Sequence, residues 1–269
     1  MKAEDLKMVV KEKYGEIAEK SKLFNNVTSC CGPSDCCGED IDYAIFTDSY
    51  STLEGYNPDA DLKLGCGMPT EYAGIKPGDH ILDLGSGAGN DCFVARTIVG
   101  ENGKVTGLDF TDEMINKAII NLEKTSFKNI EFVKGDIENM PFSENKFDVV
   151  ISNCVLNLVP DKEKAFSEIY RVLKPGAHFC ISDVVVKGQL PEEIKRDAEM
   201  YVGCISGALQ KDKYLEIIKD KGFTTVIIHK EERTVLSDSI LHKYLSEKEM
   251  TDYRNGKFGI FNMTVSGTK

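Results

Sequence analysis

The sequence contains no tryptophan, only four histidines and no long uninterrupted apolar run. A helix that spans a membrane needs about 20 consecutive apolar residues, so we expect no membrane span and no membrane partner. The scarcity of histidine argues against a histidine-rich metal site. Basic residues are also in deficit, because 33 lysines and arginines stand against 44 acidic residues, a formal net charge of -11. This balance disfavours nucleic acid and anionic lipid surfaces as partners.

The amino-terminal residues 1–16 are dense in lysine and glutamate and lack the apolar stretch of a secretory signal peptide. We therefore expect a cytoplasmic protein. Hydrophobic residues make up 41% of the 269 positions, which is enough for a packed core and argues against global disorder.

Cysteine, by contrast, is abundant, with nine residues. Cytosolic proteins rarely use structural disulfides, so this number favours metal, metalloid or redox chemistry. Four of the nine lie together in a turn-forming segment with glycine and proline: Cys30, Cys31, Cys36 and Cys37. A structural zinc ion is one interpretation of this group, because four thiolates suit tetrahedral zinc. A thiol sensor and a thiol-rich segment without a ligand are the others.

Short apolar segments alternate with helical patterns through the middle of the chain. The predicted strands cover residues 80–84, 104–109, 130–134, 147–152 and 178–183. The predicted helices between them cover 89–99, 112–125 and 161–173. Such alternation is typical of an α/β protein with a parallel, doubly wound, Rossmann-like sheet.

The same patterns divide the chain into three regions. Residues 1–40 form an amino-terminal helix and the cysteine-rich segment, and residues 41–189 form the α/β domain. The pattern changes near Gly188, so residues 190–269 are expected to form a smaller α+β domain. Its predicted elements are helices at 191–202 and 211–220 and strands near 223–230 and 258–267.

The run from Ile81 to Asp91 is the most informative stretch, because it combines an apolar strand, a glycine turn and a helix start. Its glycines fall at alternate positions, Gly85, Gly87 and Gly89. A dinucleotide-binding fingerprint would require a further glycine where asparagine stands at position 90. The observed spacing, with Asp83 before it, resembles the first motif of class I S-adenosylmethionine (SAM)-dependent methyltransferases.

Ligands of open α/β sheets lie beyond the carboxyl ends of the strands, so the residues there are the candidates for binding SAM. The helix that begins at Gly89 offers free N–H groups to the carboxylate of the methionine moiety. Asp109, at the end of the second strand, suits the ribose hydroxyls. The full candidate set is Asp83, Gly85, Ser86, Gly87, Gly89, Asp109, Phe110, Met114, Asp136, Ile137 and Asn153. Within it Phe110 and Met114 would flank the adenine, Asp136 and Ile137 would bond and cover it, and Asn153 would lie near the sulfonium.

Three cysteines stand in contexts that core packing explains poorly: Cys66, Cys154 and Cys204. Cys66 and Cys204 are placed between or close to glycines, and Cys154 follows the end of the fourth strand. Flanking glycines are expected to expose the sulfur and to let the backbone wrap a ligand closely. Cys92 and Cys180 lie inside a helix pattern and a strand pattern, so they are expected to pack in the core.

The segments Gly-Cys-Gly-Met-Pro, Ser-Asn-Cys-Val-Leu-Asn-Leu and Gly-Cys-Ile-Ser-Gly-Ala-Leu resemble those of arsenite SAM methyltransferases. The resemblance extends from about residue 50 to the carboxyl terminus. It implies that Cys66, Cys154 and Cys204 hold As(III) as thiolates. It further implies that an upstream cysteine pairs with Cys66. Cys31 is our assignment, and Cys30, Cys36 and Cys37 remain open.

The chemistry of such a site is simple. Soft thiolates select thiophilic ions, and As(III) bound by three sulfurs keeps a lone pair that is itself the nucleophile. No general base is then needed. The methyl transfer formally oxidises arsenic to As(V), and a cysteine pair could return two electrons by forming a disulfide that thioredoxin or a small thiol reduces. The alternatives are a methyltransferase for a carbon or oxygen acceptor, which should show a base near the fourth strand, and a cysteine-rich zinc or thiol-sensing protein.

Overall fold

A computed structural model describes residues 3–24, 50–189, 191, 207–234, 242 and 245–269 of the chain. Its helices are α1 (Ala3–Phe24), α2 (Pro69–Tyr72), α3 (Asn90–Val99), α4 (Asp112–Glu123), α5 (Lys162–Val172), α6 (Lys211–Asp220) and α7 (Glu247–Arg254). Its strands are β1 (His80–Leu84), β2 (Lys104–Asp109), β3 (Ile130–Lys134), β4 (Phe147–Asn153), β5 (Leu173–Lys187), β6 (Thr224–Thr234) and β7 (Gly259–Thr268). Two 3-10 turns cover Tyr50–Thr52 and Leu156–Leu158. Cys204, the cysteines from Cys30 to Cys37 and the predicted helix at 191–202 lie outside the described residues.

The seven strands form one sheet in the order β3-β2-β1-β4-β5-β7-β6. The first five strands are parallel, as the alternating pattern predicts, and their helices confirm the α/β class. The sheet is not parallel throughout, because β7 runs antiparallel to β5 and β6 runs antiparallel to β7. The two carboxyl-terminal strands therefore extend the main sheet. A separate domain from residue 190 onwards stays a prediction.

The strand β1 shows why the sheet is buried on both faces. Leu82 and Leu84 contribute to one hydrophobic cluster, with Phe166 of α5 and Phe179 of β5, while Ile81 contributes to another, with α3. Successive side chains of a strand point to opposite faces, so a continuous apolar run supplies two layers at once. The core thus holds the ends of β1, β2 and β4 in one plane.

The carboxyl ends of these three strands lie side by side. Leu84 of β1 pairs with Leu108 of β2 and with Ser152 of β4, so the residues that follow each strand emerge at one edge. The amino-terminal helix α1 packs on α4 and reaches the same edge, where Lys7 forms ion pairs with Asp136 and Glu138. No helix in the described ranges is long and apolar enough to cross a membrane.

Candidate active site

A cavity with roughly 1150 Å³ of space, open to solvent, lies at this edge of the sheet. Ten of the eleven residues that the sequence nominates for the cofactor line it: Asp83, Gly85, Ser86, Gly87, Asp109, Phe110, Met114, Asp136, Ile137 and Asn153. Gly89 is not in the wall, because it lies under the turn and caps α3. Three residues of α1, Lys7, Val10 and Tyr14, form a further part of the wall.

The glycine turn depends on backbone conformations that favour glycine. Gly85, Gly87 and Gly89 have φ angles of +67°, +51° and +97°. A Cβ atom on Gly89 would lie 2.8 Å from the Phe132 ring, and one on Gly85 would lie 2.3 Å from the Val155 side chain. The turn can therefore follow β1 closely and bring backbone N–H groups to the cavity wall.

Asp109 closes this turn from the neighbouring strand. Its Oδ2 accepts a hydrogen bond from the Gly87 amide at 3.0 Å, and its Oδ1 accepts one from the Thr111 amide at 2.9 Å. Burial raises the pKa of Asp109, although these hydrogen bonds oppose the shift. The carboxylate is thus fixed at the cavity wall.

A buried acidic pair lies at the inner side of the turn. Burial and the neighbouring Asp91 carboxylate hold the pKa of Asp83 well above its usual range. Burial raises the pKa of Asp91 to about 6, against hydrogen bonds from Tyr50 and Asn153. Cys92 donates its S–H to Asp83 at 3.2 Å, so this cysteine does more than pack in the core. Two buried carboxylates without a cation are costly, and the pair therefore fits a ligand that brings positive charge.

Asp91 and Tyr50 were not nominated from the sequence. The Tyr50 hydroxyl lies 2.9 Å from the Asp91 Oδ1 and 3.0 Å from the Gly67 carbonyl oxygen. Asp91 had a usable signal, since it stands in the first turn of the helix that follows the glycine turn. Tyr50 had none, because it lies 30 residues before β1 in a segment without a recognisable pattern.

Asn153 connects the acidic pair to the loop that carries Cys66. Its Oδ1 accepts a hydrogen bond from the Cys66 amide at 2.9 Å, and its Nδ2 lies 2.7 Å from the Gly67 carbonyl oxygen. The same Nδ2 lies 2.7 Å from the Tyr50 hydroxyl oxygen and 3.3 Å from Asp91 Oδ2. Asn153 therefore acts as a bridge between the glycine-turn side of the cavity and the Cys66 loop.

The glycines beside Cys66 have a different role from the one that the sequence suggests. Cys66 is 2% exposed and Cys154 is 4% exposed, so the expectation that flanking glycines expose the sulfur was wrong. A Cβ atom on Gly65 would lie 2.6 Å from Asn153 Nδ2, and one on Gly67 would lie 2.6 Å from Ser182 Oγ. The glycines instead let the loop pack directly on β4 and β5, which buries the thiol.

Cys154 reaches the same place from the end of β4. Its backbone has a φ of +59°, and its amide donates to the Ser182 carbonyl oxygen at 2.7 Å. The Cys66 and Cys154 sulfurs and one carboxylate oxygen of Asp183 lie within 4.8 Å of one another. Two of the three nominated thiols thus come together: Cys154 lines the cavity, and Cys66 follows the lining residue Gly65. Cys204 lies outside the described residues.

Asp183 was missed by the sequence reasoning. It is fully buried on β5, and the Tyr214 hydroxyl of α6 donates to its Oδ2 at 3.1 Å. Burial raises the pKa of Asp183 to about 7, although the charge of Lys162 and the Tyr214 hydrogen bond oppose the shift. One signal was available. Asp183 directly precedes the apolar run Val184-Val185-Val186, and a charged residue in such a strand needs a buried partner.

Comparison with known proteins agrees with this geometry. The family described as "Methyltransferase domain" matches residues 75–222. The sheet and its glycine-turn cavity define a class I methyltransferase fold, and the chain belongs to the methyltransferase-domain family.

Within that family the chain is similar to arsenite methyltransferases. It is 39% identical over 248 residues to the arsenite methyltransferase of Halobacterium salinarum, covering 86% of this chain and 61% of that protein. The arsenite methyltransferase of Aquipseudomonas alcaligenes is 35% identical over 190 residues, covering 68% of this chain and 54% of that protein. The chain thus spans less than two thirds of the length of either relative.

A solved structure shows the same similarity. The arsenic (III) S-adenosylmethionine methyltransferase of Chlamydomonas reinhardtii superposes with a TM-score of 0.65 at 34% identity. The match covers 76% of this chain and 67% of that chain.

Proposed function

We propose that this protein transfers the methyl group of SAM to trivalent arsenic held by cysteine thiolates. The observation that carries the proposal is that Cys154, which lies close to Cys66, lines the same cavity as the glycine turn. Both halves of a methyl-transfer reaction then have a place in one cavity. The similarity to arsenite methyltransferases supports the choice of acceptor.

The residues of the cavity fit SAM in charge and in shape. Asp83 and Asp91 supply negative charge for a ligand that carries a sulfonium and an ammonium group. We assign the methionine carboxylate to the amino-terminal end of α3 and the ribose hydroxyls to Asp109. The adenine is assigned to the remaining nominated residues of the wall, Phe110, Met114, Asp136 and Ile137. When bound, SAM supplies an electrophilic methyl group.

The protein's part in the transfer is alignment. Cys66 and Cys154, with Cys204 as the proposed third thiolate, hold the arsenic so that its lone pair faces the cavity. Asn153 fixes the Cys66 backbone relative to the Asp91 side of the cavity. Alignment of two bound reactants can lower a barrier by roughly 7–11 kcal/mol. No general base is needed, because the arsenic lone pair carries no proton that must be removed.

A redox step completes the proposed cycle. Formation of the As–C bond breaks the S–C bond of SAM and leaves arsenic formally as As(V). Two thiols that join in a disulfide return two electrons to arsenic and release two protons. We assign this role to Cys66 and one of the upstream cysteines, Cys31 being our choice, with thioredoxin or a small thiol as the reductant of the disulfide.

The decisive experiment is an assay of the purified protein with SAM, arsenite and a thiol reductant, with speciation of the arsenic products. One S-adenosylhomocysteine is expected for each methyl group found on arsenic. S-adenosylhomocysteine formed only with a carbon or oxygen acceptor would contradict the arsenic assignment and leave the methyltransferase fold unaffected. About one zinc ion per chain that depends on Cys30 to Cys37 would contradict the redox assignment.

Replacement of Asp109 by alanine is expected to weaken SAM binding by about tenfold or more, because a charged acceptor for the ribose and the Gly87 amide is lost. Isothermal titration with SAM measures this. Binding of a trivalent arsenical to the thiols should change little. Asp112→Ala is the matched control, since Asp112 follows on the same segment but pairs with Lys134 at the surface. Equal SAM affinity in Asp109→Ala and the control would refute the ribose assignment.

The affinity for SAM is expected to fall by about tenfold between pH 7 and pH 5. The pKa of Asp91 is about 6, so its carboxylate is ionised at pH 7 and protonated at pH 5. A bound cation favours the ionised form, and affinity is therefore lost as the pH falls through 6. Titrations at several pH values measure this, and Asp91→Asn should flatten the profile at a lower affinity. A constant affinity in the unsubstituted protein would contradict the assignment of the cation to this pair.

A further inference from the structure

Two thiols and one carboxylate form a compact buried group, of which Cys154 lines the cavity. One ligand atom from each of Cys66, Cys154 and Asp183 lies within 4.8 Å of the others, and all three residues are buried. We call these three residues the thiol–carboxylate group. The proposed binding of arsenic by three thiolates does not use the Asp183 carboxylate. The group therefore offers a donor atom that the proposed function leaves unassigned.

Two sulfurs and one carboxylate oxygen are a donor set for zinc. Zn²⁺ binds cysteine sulfur at about 2.3 Å and carboxylate oxygen at about 2.0–2.2 Å in tetrahedral geometry. Ligand atoms at those bond lengths are roughly 3.6–3.8 Å apart, which is within the 4.8 Å limit of this group. We propose that the thiol–carboxylate group binds Zn(II) and that the bound zinc keeps trivalent arsenic out of the cavity.

The surroundings of Asp183 resemble those of a metal-ligating carboxylate. The Tyr214 hydroxyl donates to Oδ2 at 3.1 Å and the Val184 amide lies 3.1 Å from Oδ1, so the side chain is held in one orientation. Partners of this kind orient a ligand toward its metal. Lys162 acts electrostatically on Asp183 from α5. Its positive charge offsets the net charge of -1 that two thiolates, one carboxylate and one Zn²⁺ would leave.

Asp183 also distinguishes the binding of zinc from the binding of arsenic. Zinc accepts sulfur and oxygen ligands alike, whereas thiophilic As(III) is selected by the sulfurs. Loss of the carboxylate should therefore weaken zinc binding and leave the binding of a trivalent arsenical nearly unchanged. The competition between the two ions rests on the proposed function, but zinc binding itself does not.

The test is a titration of the reduced full-length chain with Zn(II) in competition with a chromophoric zinc chelator. Every protein titrated carries serine in place of Cys30, Cys31, Cys36 and Cys37. A zinc ion bound to that segment then cannot contribute to the measured binding. One zinc per chain is expected. Asp183→Asn should lower its affinity by more than tenfold, and Tyr214→Phe should lower it by about tenfold. The matched control is Cys180→Ala, which removes a buried thiol outside the group.

The outcomes distinguish a failure of the zinc site from a failure of the proposed function. Zinc affinity unchanged in both Asp183→Asn and Tyr214→Phe, with circular dichroism and SAM binding intact, would overturn the zinc site, as would no zinc bound to the parent chain. If Asp183→Asn does not fold, Tyr214→Phe decides. If zinc binds as expected but the protein does not methylate arsenite, the proposed function is refuted and the zinc site is retained. Zinc that fails to displace phenylarsine oxide, a trivalent arsenical, would overturn the competition.

Discussion

Cys154→Ser is expected to lower arsenite methylation by about 100-fold or more while SAM binds as before. Serine replaces a soft thiolate by a hard, neutral oxygen, which does not hold trivalent arsenic. Cys154 also lies at the end of β4 with a φ of +59°, a conformation that serine tolerates no worse than cysteine. The expected loss therefore comes from the ligand atom and leaves the backbone unchanged.

Three quantities are measured for the Cys154→Ser variant: the yield of methylated arsenic, the binding of a trivalent arsenical, and the SAM affinity by titration calorimetry. Cys66→Ser should cause similar damage, although an arsenic–thiol adduct held by two protein sulfurs could still receive a methyl group. Cys180→Ala is the control, because this thiol is buried in the core of β5 and is absent from the cavity wall. Full activity of Cys154→Ser, with the control also active, would refute the thiolate model.

Asn153→Ala is expected to lower the turnover number by about 100-fold with little change in the affinity for a trivalent arsenical. The Asn153 amide accepts from the Cys66 N–H and donates toward the Gly67 carbonyl, so its loss frees the Cys66 loop. A shift of about 1 Å between two reacting groups can cost roughly 100-fold in rate. The thiols themselves remain and can still bind arsenic.

Single-turnover methylation with SAM prebound isolates this step from cofactor binding. Asn145→Gly is the matched control, because Asn145 is an exposed turn residue before β4, at the opposite edge of the sheet. If Asn153→Ala lost affinity for the arsenical and kept its single-turnover rate, the bridge would have no positioning role. Its assignment would then return to the sulfonium alone.

The glycine turn and the strand-end residues were predictable because they depend on local rules. A strand followed by Gly85, Gly87 and Gly89 determines a turn, and parallel strands bring their carboxyl ends to one edge, which places Asp109 and Asn153. The assignment of these residues to SAM stays a prediction. The meeting of Cys66 with Cys154 required a resemblance, since 88 positions separate the two residues and no local pattern joins them.

The features that sequence reasoning missed depend on pairing over long distances. The strands β6 and β7 were predicted, but their place beside β5 depends on antiparallel contacts that local patterns do not encode. Asp183 was the last residue of a predicted strand, but its proximity to Cys66 and Cys154 joins three distant segments of the chain. Tyr50 lies 2.9 Å from Asp91 although 41 positions separate them, and it carries no motif of its own.

The antiparallel addition to the sheet has a consequence for how this enzyme type can change. Thr264 of β7 lies 2.8 Å from Ser182 Oγ, and Ser182 in turn supports Gly67 beside Cys66. In the proposed assignment, residues at the ends of β1, β2 and β3 hold the nucleoside, whereas the Cys66 loop packs against Ser182 of β5. If the proposed assignment holds, mutations in β7 would alter the choice of acceptor without disturbing the methyl donor, and the two specificities would evolve separately.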